Sequence, residues 1–274
     1  FLQSNPDFSG QVLVIEKDLS YQYCATTLSA ASIRHQFTTP ENIEMSLFGT
    51  QFLRDFQKNM EVNGDCPDPA FHEGGYLFLA STTEGKAILE KNHALQNQLG
   101  AQIVLLSPSD ISQRYPWMYT SDLEAGSLGI RGEGWLDAYG MMQGMRRKAV
   151  TLGAKYIQDE VISIEKKGAY VTSVTLRSGA QYSCDALINA AGTSAAALAK
   201  QVGINLPVES KKRSIFYFQC PEKLENCPMV IDPSGAYFRP EGDGYIAGIS
   251  PPADQDPTCL DFNVQHHLFE EILW

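Results

Sequence analysis

Basic residues are the scarcer charge in this 274-residue chain: 21 Lys and Arg stand against 32 Asp and Glu, for a net charge of −11. Nucleic acid and anionic bilayers bind through basic patches, so neither is the expected partner. No apolar run approaches the roughly 18 residues of a membrane span. The first residues show no basic stretch ahead of an apolar one, so no leader is legible. The six cysteines include no C-x-x-C pair, and none stands at zinc-finger spacing from a histidine. They read as reduced packing residues in a chain long enough to bury a core, and a metal has no ligand set. Also missing are a Walker-type phosphate loop, the G-x-S-x-G turn of a nucleophilic serine, internal repeats and low-complexity tracts. With 43% hydrophobic and 19% charged residues, the composition is that of a folded globular protein.

Strand and helix signals alternate, which predicts an α/β or mixed layout. The apolar run at 12–15 ends on Glu16. That is the pattern of the second strand of a dinucleotide unit, whose acid takes ribose hydroxyls. The plain alternative is a solvated strand end. The glycine-rich turn that should precede such a strand is not in the chain. The following SYQYCATTLSAASIRHQF has no period and reads as a long loop, which in a compact domain usually carries function. Thr39 then caps a helix with Pro40 at its first position, and Ile43, Leu47, Phe48, Phe52, Phe56 and Met60 give it one apolar face. GYLFLA is a strand. Ser81 with Glu84 spells a capping box for a helix that ends before Gly100. AQIVLLSP is another strand. Asp137 caps a helix through Met141, Met142 and Met145, whose methionines read as core filler.

Three β runs follow, separated by turn signals at Lys167-Gly168 and Ser178-Gly179. A further strand at 186–189 enters a small-residue turn and a helix. From Arg213 onward, SIFYFQC, PMVI, GAYFRPEG and GYIAGIS read as a second antiparallel sheet. Ala190, Ala191 and Gly192 let backbone approach a diphosphate or a ring closely, with a helix N-terminus behind them. A tight packing turn explains the same residues. Arg34 can grip a carboxylate through paired hydrogen bonds, and His35 beside it can titrate near neutrality. Alternatively, the two are an exposed loop arginine and an ordinary histidine. His266 and His267 read as solvated surface, and no nucleophile–base pair stands out.

With these pieces assembled, the chain resembles the D-amino-acid oxidase/sarcosine oxidase superfamily of FAD-dependent oxidoreductases. RHQFTTPENIEMSLFGTQFLR, GEGWLDAYGMMQGMRRK, LINAAG, LPVESKKRSIFYFQCP and SGAYFRPEG carry the likeness, spread over most of the chain. The resemblance implies a mixed α/β (α+β) fold with two parts. One is a Rossmann-type FAD-binding domain with a β-meander, discontinuous over 1–40 and 137–210. The other is a substrate domain on a mostly antiparallel sheet, over 41–136 and 211–274. It implies FAD as cofactor, with Glu16 and the adjoining Lys17 at the adenosine ribose and Val161 meeting the adenine through its backbone. Ala190, Ala191 and Gly192 would pass the diphosphate. Arg34 falls where members bind a substrate carboxylate and Tyr237 where they place an active-site tyrosine. Ser250 stands where some have a histidine, which puts sarcosine itself in doubt, and no residue matches covalent flavin attachment.

The implied activity is oxidation of the C–N bond of an amino acid or secondary amine by hydride transfer to flavin. An NAD-linked dehydrogenase fits the meander and the AYFRP sheet less well. The likeness reaches a respiratory complex I assembly factor, so a flavin-bound, non-catalytic scaffold for complex I assembly intermediates is the alternative. The mitochondrial matrix is then the expected compartment for a eukaryotic source and the cytoplasm for a bacterial one. The family's opening glycine turn and its closing flavin-contacting segment have no counterpart, so the chain reads as an internal piece of a longer protein.

Overall fold

The computed structural model describes residues 1–273. In chain order, β1 (Leu13–Glu16) and β2 (Ser32–Ile33) precede helices α1 (Pro40–Arg54) and α2 (Phe56–Met60). Next come β3 (Tyr76–Ala80), α3 (Thr83–Gln98), β4 (Gln102–Leu106), α4 (Pro108–Arg114), β5 (Ala125–Arg131), β6 (Gly134–Trp135) and α5 (Ala138–Thr151). After β7 (Lys155–Gln158) run β8 (Val161–Lys167), β9 (Tyr170–Leu176) and β10 (Gln181–Ser183), then α6 (Ala195–Gln201). The last strands are β11 (Ile215–Phe218), β12 (Met229–Ile231), β13 (Tyr237–Glu241) and β14 (Gly244–Gly248).

The largest sheet has seven strands in the order β11-β14-β13-β12-β3-β5-β4. Every pairing is antiparallel except β12 beside β3. Leu77 of GYLFLA is fully buried and packs with Ile111, Tyr115, Leu123 and Leu128 under α4. A parallel pair, β1 with β7, and the antiparallel meander β8–β10 form separate sheets. Ile15, Ile157 and Leu198 pack on Ile164, Val174 and Leu176, so the parallel pair, the meander and α6 share one apolar core. The short β2–β6 pairing, Ser32 opposite Trp135, ties the loop after β1 to the hairpin end after β5. No helix among the described residues is long and apolar enough to cross a membrane.

Several local expectations are corrected. The helix from Pro40 does not run through Met60: the chain turns at Asp55 and α2 begins anew. The turn lets Phe56 reach full burial against Gly144 of α5, while Phe48, expected on the apolar face, is 60% exposed. Thr39 holds the N-cap position without a side-chain bond. Thr82, rather than Ser81, caps α3 by accepting the Gly85 N–H at 3.0 Å. A full capping box, Ser107 with Asp110, opens α4 with Pro108 at its first position. Residues 186–189 form no strand, and Ile188 is 75% exposed. A strand exists only through ladder partners, and no described strand pairs with this segment.

Candidate functional site

An open cleft of about 690 Å³ lies between the loop after β1, α1, α5 and the middle of the large sheet. Ala31, Ile33, Phe52, Met141, Tyr76 and Tyr237 are among its lining residues. The loop wall is unperiodic in sequence yet held from both sides. Leu136 N–H donates to the Ala31 carbonyl at 3.0 Å. Arg239, only 3% exposed, donates Nε and Nη2 to the Ala30 carbonyl at 3.1 and 2.8 Å. Its Nη1 reaches the Pro240 carbonyl at 2.7 Å and the Glu241 carboxylate, and the guanidinium lies 5.3 Å from the Trp135 ring. A buried guanidinium is tolerated only when its donors are filled, and here the loop fills Nε and Nη2 while β13 itself fills Nη1. Near the start of the loop, Arg146 of α5 donates to the Leu19 carbonyl at 2.9 Å and lies over Tyr21 and Tyr156.

Arg34 is half-buried, with its guanidinium carbon 4.8 Å from the Phe37 ring, 5.7 Å from Tyr76 and 5.3 Å from Phe78. Its carbonyl accepts from the Ser46 hydroxyl. Its Nε is buried without a hydrogen-bond partner, and among the described residues no acid pairs with it. The side chain is not itself on the cleft wall. It meets the cleft through Tyr76, whose ring it faces and which lines the cleft with Tyr237. Burial raises the pKa of the Tyr76 phenol, partly offset by Arg34. Burial and the neighbouring Tyr76 raise that of Tyr237. Both hydroxyls therefore keep their protons at neutral pH and are available as hydrogen-bond donors.

Behind Arg34 lies a network that the sequence reading did not foresee. Glu133 is fully buried. Its Oε1 accepts the backbone N–H groups of His35 at 2.6 Å and Gln36 at 3.1 Å, and its Oε2 accepts Gln36 Nε2 at 2.8 Å. Gln36 Nε2 also donates to the Tyr76 carbonyl at 2.8 Å, and its Oε1 accepts the Ser127 hydroxyl at 2.7 Å. Burial pushes the Glu133 carboxyl up to about 7, against the pull of those donors and of Arg34. His35 does not titrate near neutrality: burial, then the charge of Arg54, brings it down to about 4. Thr50 spends its proton on the Gly132 carbonyl at 2.9 Å, so it can only accept from His35 Nε2 at 2.8 Å. The imidazole is thus neutral with its proton on Nε2. The legible trace of this network is the RGEGW string, an acid flanked by glycines. A Cβ at Gly129 would overlap Glu133 Oε2, and one at Gly132, whose φ is +78°, would overlap His35 Cε1.

The residues expected at the cofactor lie on the other core. Glu16 ends β1 and its Oε1 accepts the Asp18 N–H at 2.9 Å; Lys17 is exposed. Val161 opens β8 and packs into the shared core. Ala190, Ala191 and Gly192 are exposed, with Gly192 at φ +53° and open space where a Cβ would stand. A carboxylate at a strand end suits ribose hydroxyls, an exposed small-residue turn admits a diphosphate, and an apolar cleft admits a ring. The residues present therefore fit a flavin dinucleotide. Among the described residues no cluster of His, Cys, Asp or Glu could hold a metal.

A family model described as FAD dependent oxidoreductase matches residues 4–273. The chain belongs to that family. Its cofactor is FAD, which sets the nicotinamide alternative aside. The chain is 38% identical over 297 residues to FAD-dependent oxidoreductase domain-containing protein 1 of Xenopus laevis, an overlap of 96% of this chain and 59% of that protein. It thus spans well under two thirds of that curated relative. Among solved structures it is similar to L-proline dehydrogenase from P. horikoshii, with TM-score 0.70 and 21% identity over 89% of this chain and 72% of that one. Glycine oxidase from Geobacillus kaustophilus gives TM-score 0.72 and 21% identity over 87% and 64%. These likenesses carry the fold: a Rossmann-type flavoprotein architecture of mixed α/β composition.

Proposed function

We propose that the protein oxidises the C–N bond of an amino acid or of a secondary amine bearing a carboxylate. The chemistry that bound FAD would supply is a hydride acceptor: the C–H pair leaves as hydride and the lone pair of the neutral nitrogen closes C=N as an iminium. Glu16, Val161 and the turn at Ala190, Ala191 and Gly192 are the residues that would hold FAD. The observation that supports this reading best is Arg34: a half-buried guanidinium over three aromatic rings, one nitrogen unpartnered, and no acid of its own. A cation so placed is incomplete without an anion, and its planar fork matches a carboxylate. Similarity to L-proline dehydrogenase and to glycine oxidase, two proteins named for carboxylate-bearing amines, supports the same class.

The chain's own groups then bind, orient and exclude water. Arg34, behind Tyr76, would fix the carboxylate; the phenols of Tyr76 and Tyr237 would donate hydrogen bonds; the apolar wall from Ile33 to Met141 would pack on the reacting carbon. His35 is neutral and buried and both phenols are protonated, so none of the three is a general base at neutral pH, and none is required when the amine binds in its neutral form. Anaerobic mixing of the flavin-loaded protein with glycine, N-methylglycine and proline tests the proposal. Loss of flavin absorbance with at least one amine is expected, and an unchanged spectrum with every carboxylate-bearing amine contradicts it.

A further inference from the structure

The Glu133 carboxyl is fully buried, yet among the described residues it forms no ion pair. An acid in that position is costly unless its oxygens are filled by hydrogen bonds. They are filled by one short segment: the His35 and Gln36 N–H groups on Oε1 and the Gln36 amide on Oε2. Gln36 passes the constraint on to the Tyr76 carbonyl of β3 and the Ser127 hydroxyl of β5. On the other side of the same peptide, the Arg34 carbonyl accepts from Ser46 of α1. The backbone carrying Arg34 is therefore fastened at the residue itself and at the two that follow. The glycine at 129 exists where the clamp needs room, since any side chain there would collide with Glu133.

We propose that Glu133 is a positioning residue that holds Arg34 in register with Tyr76, so that the guanidinium meets the carboxylate of an incoming amine. The inference rests on the reading of Arg34 given above and assigns what aims it. Three acceptor bonds on one buried carboxyl fix the direction of the 34–36 backbone, and Gln36 fixes its distance from the strand that carries Tyr76. Flexible tethering of an arginine loses the geometry on which a two-point hydrogen bond depends. Glu133 touches no substrate in this account; it acts through the peptide that follows Arg34.

The test uses the complete, flavin-loaded polypeptide and two variants. Glu133→Gln keeps shape and replaces one acceptor oxygen by a donor. Ser127→Ala removes only the support of Gln36, and carries the comparison if Glu133→Gln fails to fold. Crystal structures of parent and variant are expected to show the Arg34 guanidinium displaced from the rings of Phe37, Tyr76 and Phe78. Stopped-flow reduction is measured with proline against pyrrolidine and with glycine against methylamine. The apparent Kd for the carboxylate-bearing member of each pair should rise about tenfold. The limiting reduction rate should hold within about threefold, and the amine without a carboxylate should be unaffected. An unmoved Arg34 in the variant crystal, or equal losses for both members of a pair, overturns the assignment. If the parent is reduced by no amine, the proposed function falls, while the position of Arg34 in the two crystals still decides what Glu133 does.

Discussion

A lysine at position 34 would keep the charge and lose the fork. Arg34→Lys should retain flavin, because Arg34 packs on Phe37, Tyr76 and Phe78 and is not among the residues proposed to hold the dinucleotide. Reduction by a carboxylate-bearing amine should slow by about tenfold or more, read by stopped-flow absorbance. The neighbouring titratable pair makes a second prediction, about stability. Glu133 rises on folding from 4.5 to about 7, so the folded state holds its proton more tightly and this contribution to stability is lost as pH climbs from about 4.5 to 7. At 1.36 kcal/mol per unit that is about 3 kcal/mol. His35 falls from 6.5 to about 4, so the unfolded state takes the proton first and stability is lost as pH drops from 6.5 to 4. The slopes oppose between about 4.5 and 6.5 and largely cancel. Denaturant melts across pH should therefore show the acid-sensitive limb alone in Glu133→Gln and the alkali-sensitive limb alone in His35→Gln. Identical pH profiles for the parent and both variants would contradict these shifts.

The hairpin end from β5 into β6 shows how a strand can be built around a side chain that belongs to its neighbour. Gly129→Ala should destabilise the protein by about 1–3 kcal/mol through overpacking against Glu133. In a Glu133→Ala background the same change should cost much less, a coupling that a double-mutant cycle measures. Additive losses would mean that Gly129 serves something other than this acid. The same glycines explain why β5 was not legible. AGSLGIR lacks the apolar alternation of a strand because Gly126 faces Leu77 and Ile111 at close range and Gly129 yields to Glu133. By contrast, GYLFLA, the meander and the runs after Arg213 carry strong period and bounding turns, and all form strands. Arg34 could be singled out from its string and Tyr237 only through the family resemblance; Tyr76, Arg239 and Glu133 could not. Their roles arise from contacts between residues 40 to 209 positions apart, which no local pattern encodes.

The molecule puts a seven-stranded, mostly antiparallel sheet and a parallel pair with meander on one chain, and the loop from β1 to β2 runs between them. Its acidic surface gives no reason to expect an anionic macromolecule, whereas a neutral or zwitterionic small molecule meets no field against it. On the cofactor side, if Glu16 takes the ribose hydroxyls as proposed, Glu16→Ala should weaken FAD binding by about ten- to a hundredfold in a fluorescence titration. An unchanged dissociation constant would reduce Glu16 to the end of a strand. The central proposal, that amines held by their carboxylates beside Arg34, Tyr76 and Tyr237 are oxidised at the C–N bond, is tested most directly by one comparison. Flavin-loaded protein is mixed anaerobically with proline and, separately, with pyrrolidine, and with other amines in the same matched pairs. The account predicts that flavin is bleached by at least one carboxylate-bearing amine and about tenfold or more slowly by its partner without the carboxylate. Equal bleaching within every pair, or none at all, would contradict it.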